Sequence, residues 1–142
     1  MTFAKHAILP IALASLAACG SDETSETRAT EAQLDRIEDE ADRSAAAAGM
    51  EEAALGLTEA QLLDAELVTA DGTDLGDVER VSRDASGAVT ELLIEIEDSD
   101  PDRYVVIPIE GLTVRSAGDD ADLQTSMSMQ DLAALPDAVL AP

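Results

Sequence analysis

Val89-Thr-Glu-Leu-Leu-Ile-Glu-Ile96 has a clear alternation of apolar residues along the chain. Its large apolar residues Leu92, Ile94 and Ile96 fall on one side of an extended chain. The other side, which we expect to face water, has Leu93, Glu95 and Glu97. Alternation with a period of two is typical of a strand with one buried face and one wet face, so this stretch predicts a β-sheet.

Apolar, β-branched runs separated by turn residues lie on both sides of this strand. Turn signals occur at Asp71-Gly72 and at Asp84-Ala-Ser-Gly87, and Pro108 with Gly111 indicates a sheet edge or a sharp bend. The other predicted strands cover residues 67–69, 78–81, 104–109 and 112–114. About five to six short strands so close together predict a mainly β fold, a small and strongly bent sheet or β-barrel.

Short helices are predicted before and after the strands. Thr58-Glu59-Ala60-Gln61 matches a capping box, in which the threonine hydroxyl and the glutamine side chain satisfy free backbone N–H groups. Ser126 or Ser128 is expected to cap a second helix that contains Leu132. The predicted domain therefore has one short helix at each end.

A longer helix is predicted upstream, over about residues 31–48. Leu34, Ile37 and Ala41 recur on one helix face, and Gly49 is placed to end the helix. Few residues of this face are large, so we expect the helix to dock loosely. Residues 20–30 are polar and acidic, which predicts a flexible tether. Residues 19–57 are thus interpreted as an acidic tether with a loose helix.

The N-terminal region has the pattern of an export signal. Lys5 precedes an apolar run over residues 7–18 that is too short to span a bilayer. The run ends in Leu16-Ala17-Ala18-Cys19, which resembles the lipobox of bacterial lipoproteins. The resemblance implies a signal peptide at residues 1–18 and a lipid-modified Cys19 as first residue of the mature protein. The alternative is a conventional signal-peptidase site, with small residues at the cut: Ala12 and Ala14, or Ala17 and Ala18.

An acylated Cys19 predicts a protein that is anchored to a membrane and does not span it, since two or more acyl chains hold a protein stably. The implied location is the envelope of a Gram-negative bacterium, facing the periplasm. Gly20 follows the cysteine, and in enteric sorting rules a residue other than Asp favours the outer membrane over the inner one.

Charge and composition disfavour several functions. The formal net charge of −23 repels phosphates, so no nucleic-acid binding is expected. The single histidine, His6, lies in the predicted signal peptide, which leaves the mature chain without a histidine-based triad or a His/Cys zinc site. Tyr104 is its one aromatic residue, too little to stack on sugar rings. We therefore expect no enzyme, no catalytic residue and no cofactor.

Five segments occur in a recognisable order: Leu57-Thr-Glu-Ala-Gln-Leu-Leu-Asp-Ala-Glu-Leu-Val, Asp71-Gly-Thr-Asp-Leu-Gly-Asp-Val, Asp84-Ala-Ser-Gly-Ala-Val, Tyr104-Val-Val-Ile-Pro-Ile and Leu123-Gln-Thr-Ser-Met-Ser-Met-Gln-Asp-Leu-Ala-Ala-Leu-Pro136. Over residues 57–136 this order resembles the PRC-barrel family, whose small β-barrels serve in docking. The resemblance implies a PRC-barrel-like domain at residues 58–136, a tail at residues 137–142, and a protein–protein docking function with an unidentified partner.

The acidic stretch Asp98-Ser-Asp100-Pro-Asp102 supports a competing hypothesis. Alternating aspartates offer hard oxygen ligands, so Asp98, Asp100 and Asp102 are weak candidates for a divalent-cation site. An EF-hand loop that began at Asp98 would need Gly and Glu where Arg103 and Ile109 stand. A second acidic cluster, predicted as a loop, comprises Asp119, Asp120 and Asp122. The alternative function is weak cation binding or charge buffering in the envelope.

Overall fold

The strand at residues 89–96 lies within a six-stranded sheet. The computed structural model describes residues 23–117 and 120–140 of the chain. Its elements in chain order are α1 (Glu23–Ala48), β1 (Glu52–Ala54), β2 (Leu57–Thr58), α2 (Glu59–Leu63), β3 (Glu66–Val68), β4 (Asp74–Arg83), β5 (Val89–Ile96), β6 (Tyr104–Pro108), β7 (Thr113–Ala117), β8 (Asp120–Gln124) and α3 (Met129–Ala133).

The strands follow the order β6-β5-β4-β3-β8-β7 in the sheet, and β1 pairs with β2 in a separate small hairpin. All neighbours in the large sheet are antiparallel except β3 and β8, which are parallel. The prediction of a mainly β domain is confirmed.

The predicted barrel is not formed, because the sheet is open among the described residues, with β6 and β7 as its edges. The C-terminal segment provides a physical reason. The backbone N–H of Ala138 donates to the carbonyl of Tyr104 over 2.7 Å, so this segment meets the outer edge of β6 where a closing strand would have to pair.

One strand of the six-stranded sheet was not predicted, and neither was the small β1–β2 hairpin. Asp120 and Asp122, expected in a loop, belong to β8, while Asp119 lies outside the described residues. Leu123 is fully buried and pairs with Leu67 of β3. Aspartate is uncommon in strands, so two aspartates within five residues argued against a strand here. The parallel partner strand is also distant in sequence.

One face of the sheet forms the main core. Leu62 of α2 and Leu132 of α3 join the buried strand residues, which include Leu67, Leu75, Val78, Leu92, Ile94, Val105, Ile107 and Leu123. Both predicted helix starts are confirmed. Thr58 with Gln61 and Ser128 with Asp131 each form a complete capping box. These caps fix where the two short helices enter the core.

The opposite face is covered by α1, which corrects two expectations. Leu93, predicted on the wet face, is 1% exposed and packs with Ile37 and Tyr104. The docking is not loose, since Ile37, Ala41 and Ala45 of α1 are all buried. Sequence alternation along β5 cannot reveal a cover that comes from a remote helix.

Helix α1 also begins at Glu23 and not near residue 31, so most of the predicted tether is helical. Once a helix is held by tertiary packing, adding further turns avoids the cost of nucleation, and acidic residues suit a helix N-terminus. The predicted end is confirmed, because Gly49 has a positive φ of 62° and donates to the carbonyl of Ala45 over 2.9 Å.

Candidate functional site

Titratable groups gather where α1 crosses β4 and β5. Val78 pairs with Ile94 and Arg80 pairs with Leu93, which leaves Glu79 as the extra residue of a β-bulge. A bulge redirects the side chain of its extra residue. Glu79 consequently lies half-buried at the interface between the sheet and α1.

Glu79, Glu95 and Tyr104 lie close together, and we call them the carboxyl cluster. Glu95 of β5 is paired with Tyr104 on β6 and with Asp77 on β4, two residues before Glu79. Ionisation of Glu79 would place a second negative charge beside the carboxylate of Glu95, and like charges at short range disfavour ionisation.

Burial is the main cause that raises the pKa of Glu79 to about 7, and the charges of Glu95 and Glu38 raise it further. Burial is also the first cause of the raised pKa of Tyr104, followed by the charge of Glu95. Both shifts keep a proton in the cluster, since burial penalises the charged form of each acid.

An acidic cavity of about 350 Å³ adjoins the carboxyl cluster. It lies between α1, the end of α2 and β4, and its lining residues are Glu38, Ala41, Asp42, Leu63, Asp64, Asp77, Val78 and Glu79. Burial, and then the charge of Asp74, raises the pKa of Asp77 in this wall. Among the described residues, no three or more His, Cys, Asp or Glu side chains are grouped so as to hold a metal ion.

Arg103 fastens the C-terminal segment beside α1. Its guanidinium donates to Asp137 over 2.8 Å and to the carbonyls of Ala133 and Leu135 over 3.2 and 3.3 Å. Leu140 then packs against the cluster of Ile37, Leu93 and Tyr104. The segment thus adds a further apolar cover to the α1 side of the sheet.

A buried ion pair joins α2 to the end of β4. Glu59 is 2% exposed, and its carboxylate accepts from the guanidinium of Arg83 over 2.6 Å. Arg83 also donates to the carbonyl of Gly87 over 2.8 Å. The sequence does not reveal this pair, because Glu59 occupies an ordinary first-turn position of a helix and Arg83 is remote from it in sequence.

The predicted site residues are not brought together. Asp98, Asp100 and Asp102 are exposed in the loop between β5 and β6. Asp122 lies in β8 directly opposite Arg115 of β7, and it is separate from that loop. Cys19 lies outside the described residues, so its predicted lipidation stays a prediction.

The β7 edge, defined as the outer side of Thr113–Ala117, is the open end of the sheet. In the described part of the chain no strand pairs with it, since β8 occupies its other side. Val114 is 37% exposed there, between the exposed Thr113 and Arg115. Exposed edges present backbone N–H and C=O groups that can pair with an added strand.

No family model matches the chain, and no curated protein matches it either. Within the part of the chain that the structure describes, no helix combines the length and apolar character needed to cross a membrane.

Proposed function

We propose that this chain is a lipid-anchored docking module of the Gram-negative cell envelope, with a PRC-barrel-like domain that faces the periplasm and binds another protein. Acylation of Cys19 would hold the domain at the membrane, with the outer membrane favoured over the inner one. The sequence supports the anchor through Leu16-Ala17-Ala18-Cys19. The resemblance to PRC-barrel domains supports the docking role.

The open β7 edge is the observation that carries the docking proposal. An incoming strand could add to β7 through main-chain hydrogen bonds, and Val114 would contribute an apolar contact. Proteins commonly protect exposed edges with charge, and Arg115 gives this edge only one cationic side chain among its described residues. A strand or loop with apolar and acidic side chains would suit the edge best.

In-cell photocrosslinking tests the proposal. A photoreactive amino acid at Val114 should give adducts of discrete mass, and the same substitution at Met50 is the control, because Met50 is 91% exposed and lies in the turn after α1, outside β7. Adducts at position 114 should disappear when Cys19→Ser removes the anchor. Equal adducts at both positions, or none at position 114, would refute docking at this edge.

A further inference from the structure

We propose that the packing of α1 onto the sheet is a pH-sensitive contact, tightened by acid and loosened as the pH rises towards neutrality, with Glu79 as the responsive group. This inference is independent of the docking function, because it concerns a contact inside the chain.

Geometry places Glu79 where it can act on the helix. Glu79 is the extra residue of the β4 bulge and faces Glu38 of α1 across the interface. Glu95 of β5 pairs with Tyr104 of β6, and Tyr104 packs against Ile37 of α1. Ionisation of Glu79 would therefore add a like charge beside those of Glu95 and Glu38, in the cavity between the sheet and the helix.

The surrounding charges all act in the same direction. Glu38 and Asp42 belong to α1, and Asp64 caps the end of α2. Asp77 lies on β4 beside the bulge. Arg80 of β4 lines a different groove, with Glu40 and Glu59. Neither the Arg83–Glu59 nor the Arg103–Asp137 ion pair includes Glu79.

The direction of the pH effect follows from proton binding. Burial raises the pKa of Glu79 from 4.5 to about 7 in the packed state. The packed state therefore holds more protons than the unpacked state between these values, so its stability is complete below about pH 4.5 and declines as the pH rises to about 7. Because Glu79 is only half-buried, solvent screening reduces the size of the effect.

Hydrogen exchange of the whole chain measures the contact directly. After correction for intrinsic exchange rates, protection of the α1 amides at Ile37, Ala41 and Ala45 should fall about tenfold between pH 5.5 and 8.5. Amides of Leu92 and Ile94 in β5 serve as an internal reference for global opening. Acrylamide quenching of Tyr104, the one tyrosine in a chain without tryptophan, gives a second readout.

Three variants make the test specific. Glu79→Gln imitates the protonated acid and should keep protection constant over this pH range. Glu38→Gln, at a solvent-accessible position of α1 that lines the same cavity as Glu79, should move the midpoint to lower pH, because one of the charges that raise the pKa of Glu79 is gone. Glu110→Gln, an exposed residue in the turn before β7, should behave as wild type.

Constant α1 protection in the wild type would overturn the proposal, and so would the same decline in Glu79→Gln and Glu110→Gln. If Glu79→Gln fails to fold, Glu38→Gln decides alone. A midpoint unchanged from wild type in that variant would also overturn the proposal.

Discussion

The carbonyl oxygen of Glu95 lies 1.9 Å from where a Cβ atom on Gly76 would stand. Gly76 pairs with Ile96 on β5 and has a φ of 150°, which side chains disfavour. The two central strands therefore approach this closely because residue 76 has no side chain. Gly76 lies within the short sequence Asp74-Leu-Gly-Asp-Val78, where it could be mistaken for an ordinary turn glycine.

Gly76→Ala should be among the most destabilising single substitutions in the chain, because the β4–β5 backbone must move to admit a methyl group. We expect a loss of about 3 kcal/mol or more in the free energy of unfolding, measured by urea denaturation. Gly87→Ala is the matched control, with a positive φ of 88° but open space around the site. Its cost should be about 1 kcal/mol, and equal losses in both variants would contradict the close approach.

Arg83→Ala should destabilise the domain by leaving the buried carboxylate of Glu59 without its cation. We expect a cost of about 1–3 kcal/mol, reduced from that of a fully buried pair because Arg83 is partly exposed. Arg36→Ala, at an exposed position on α1, should cost about 0.5 kcal/mol or less. A double-mutant cycle with Glu59→Gln measures the coupling, and a coupling near zero would show that the pair contributes nothing.

Leu93→Ala tests whether α1 covers the sheet. Leu93 pairs with Val106 of β6, yet Leu93 is buried under α1 while Val106 is exposed. Leu93→Ala should cost about 2–5 kcal/mol, whereas Val106→Ala should cost about 1 kcal/mol or less. If both variants lose a similar free energy of unfolding, measured by heat or urea, then Leu93 and Val106 have the same environment. That result would mean that this face of the sheet is exposed to water and not covered by α1.

The contrast between these two positions also shows what the sequence could reveal. The core side of β5 was predicted correctly at Leu92, Ile94 and Ile96, since local alternation carries that information. Leu93 was predicted to face water, because the residue that buries it, Ile37, belongs to a helix far earlier in the chain. Local signals were sufficient for the starts of the short helices. The capping box at Thr58 was predicted, and of the two candidate serines the structure has Ser128 as the cap, with its partner three residues away.

The carboxyl cluster could not be predicted from the sequence either, because its residues come from three different strands. Residues 78–81 were predicted as a strand, and nothing local in Val78-Glu-Arg-Val81 distinguishes a bulge from a polar face. The charged Glu79 inside an apolar run was the available signal. The acidic loop at residues 98–102 drew attention instead, because aspartate spacing is visible in sequence whereas burial is not.

Metabolic labelling with a palmitate analogue, followed by membrane fractionation, tests the proposal that Cys19 holds this domain at a membrane. We predict that the wild-type chain incorporates the label and sediments with membranes. Cys19→Ser should lose the label and leave the membrane or stay unprocessed, while Gly20→Ala should behave as wild type. If the Cys19→Ser protein remains membrane-bound at the wild-type level, and neither form carries the label, then Cys19 is not a lipid anchor.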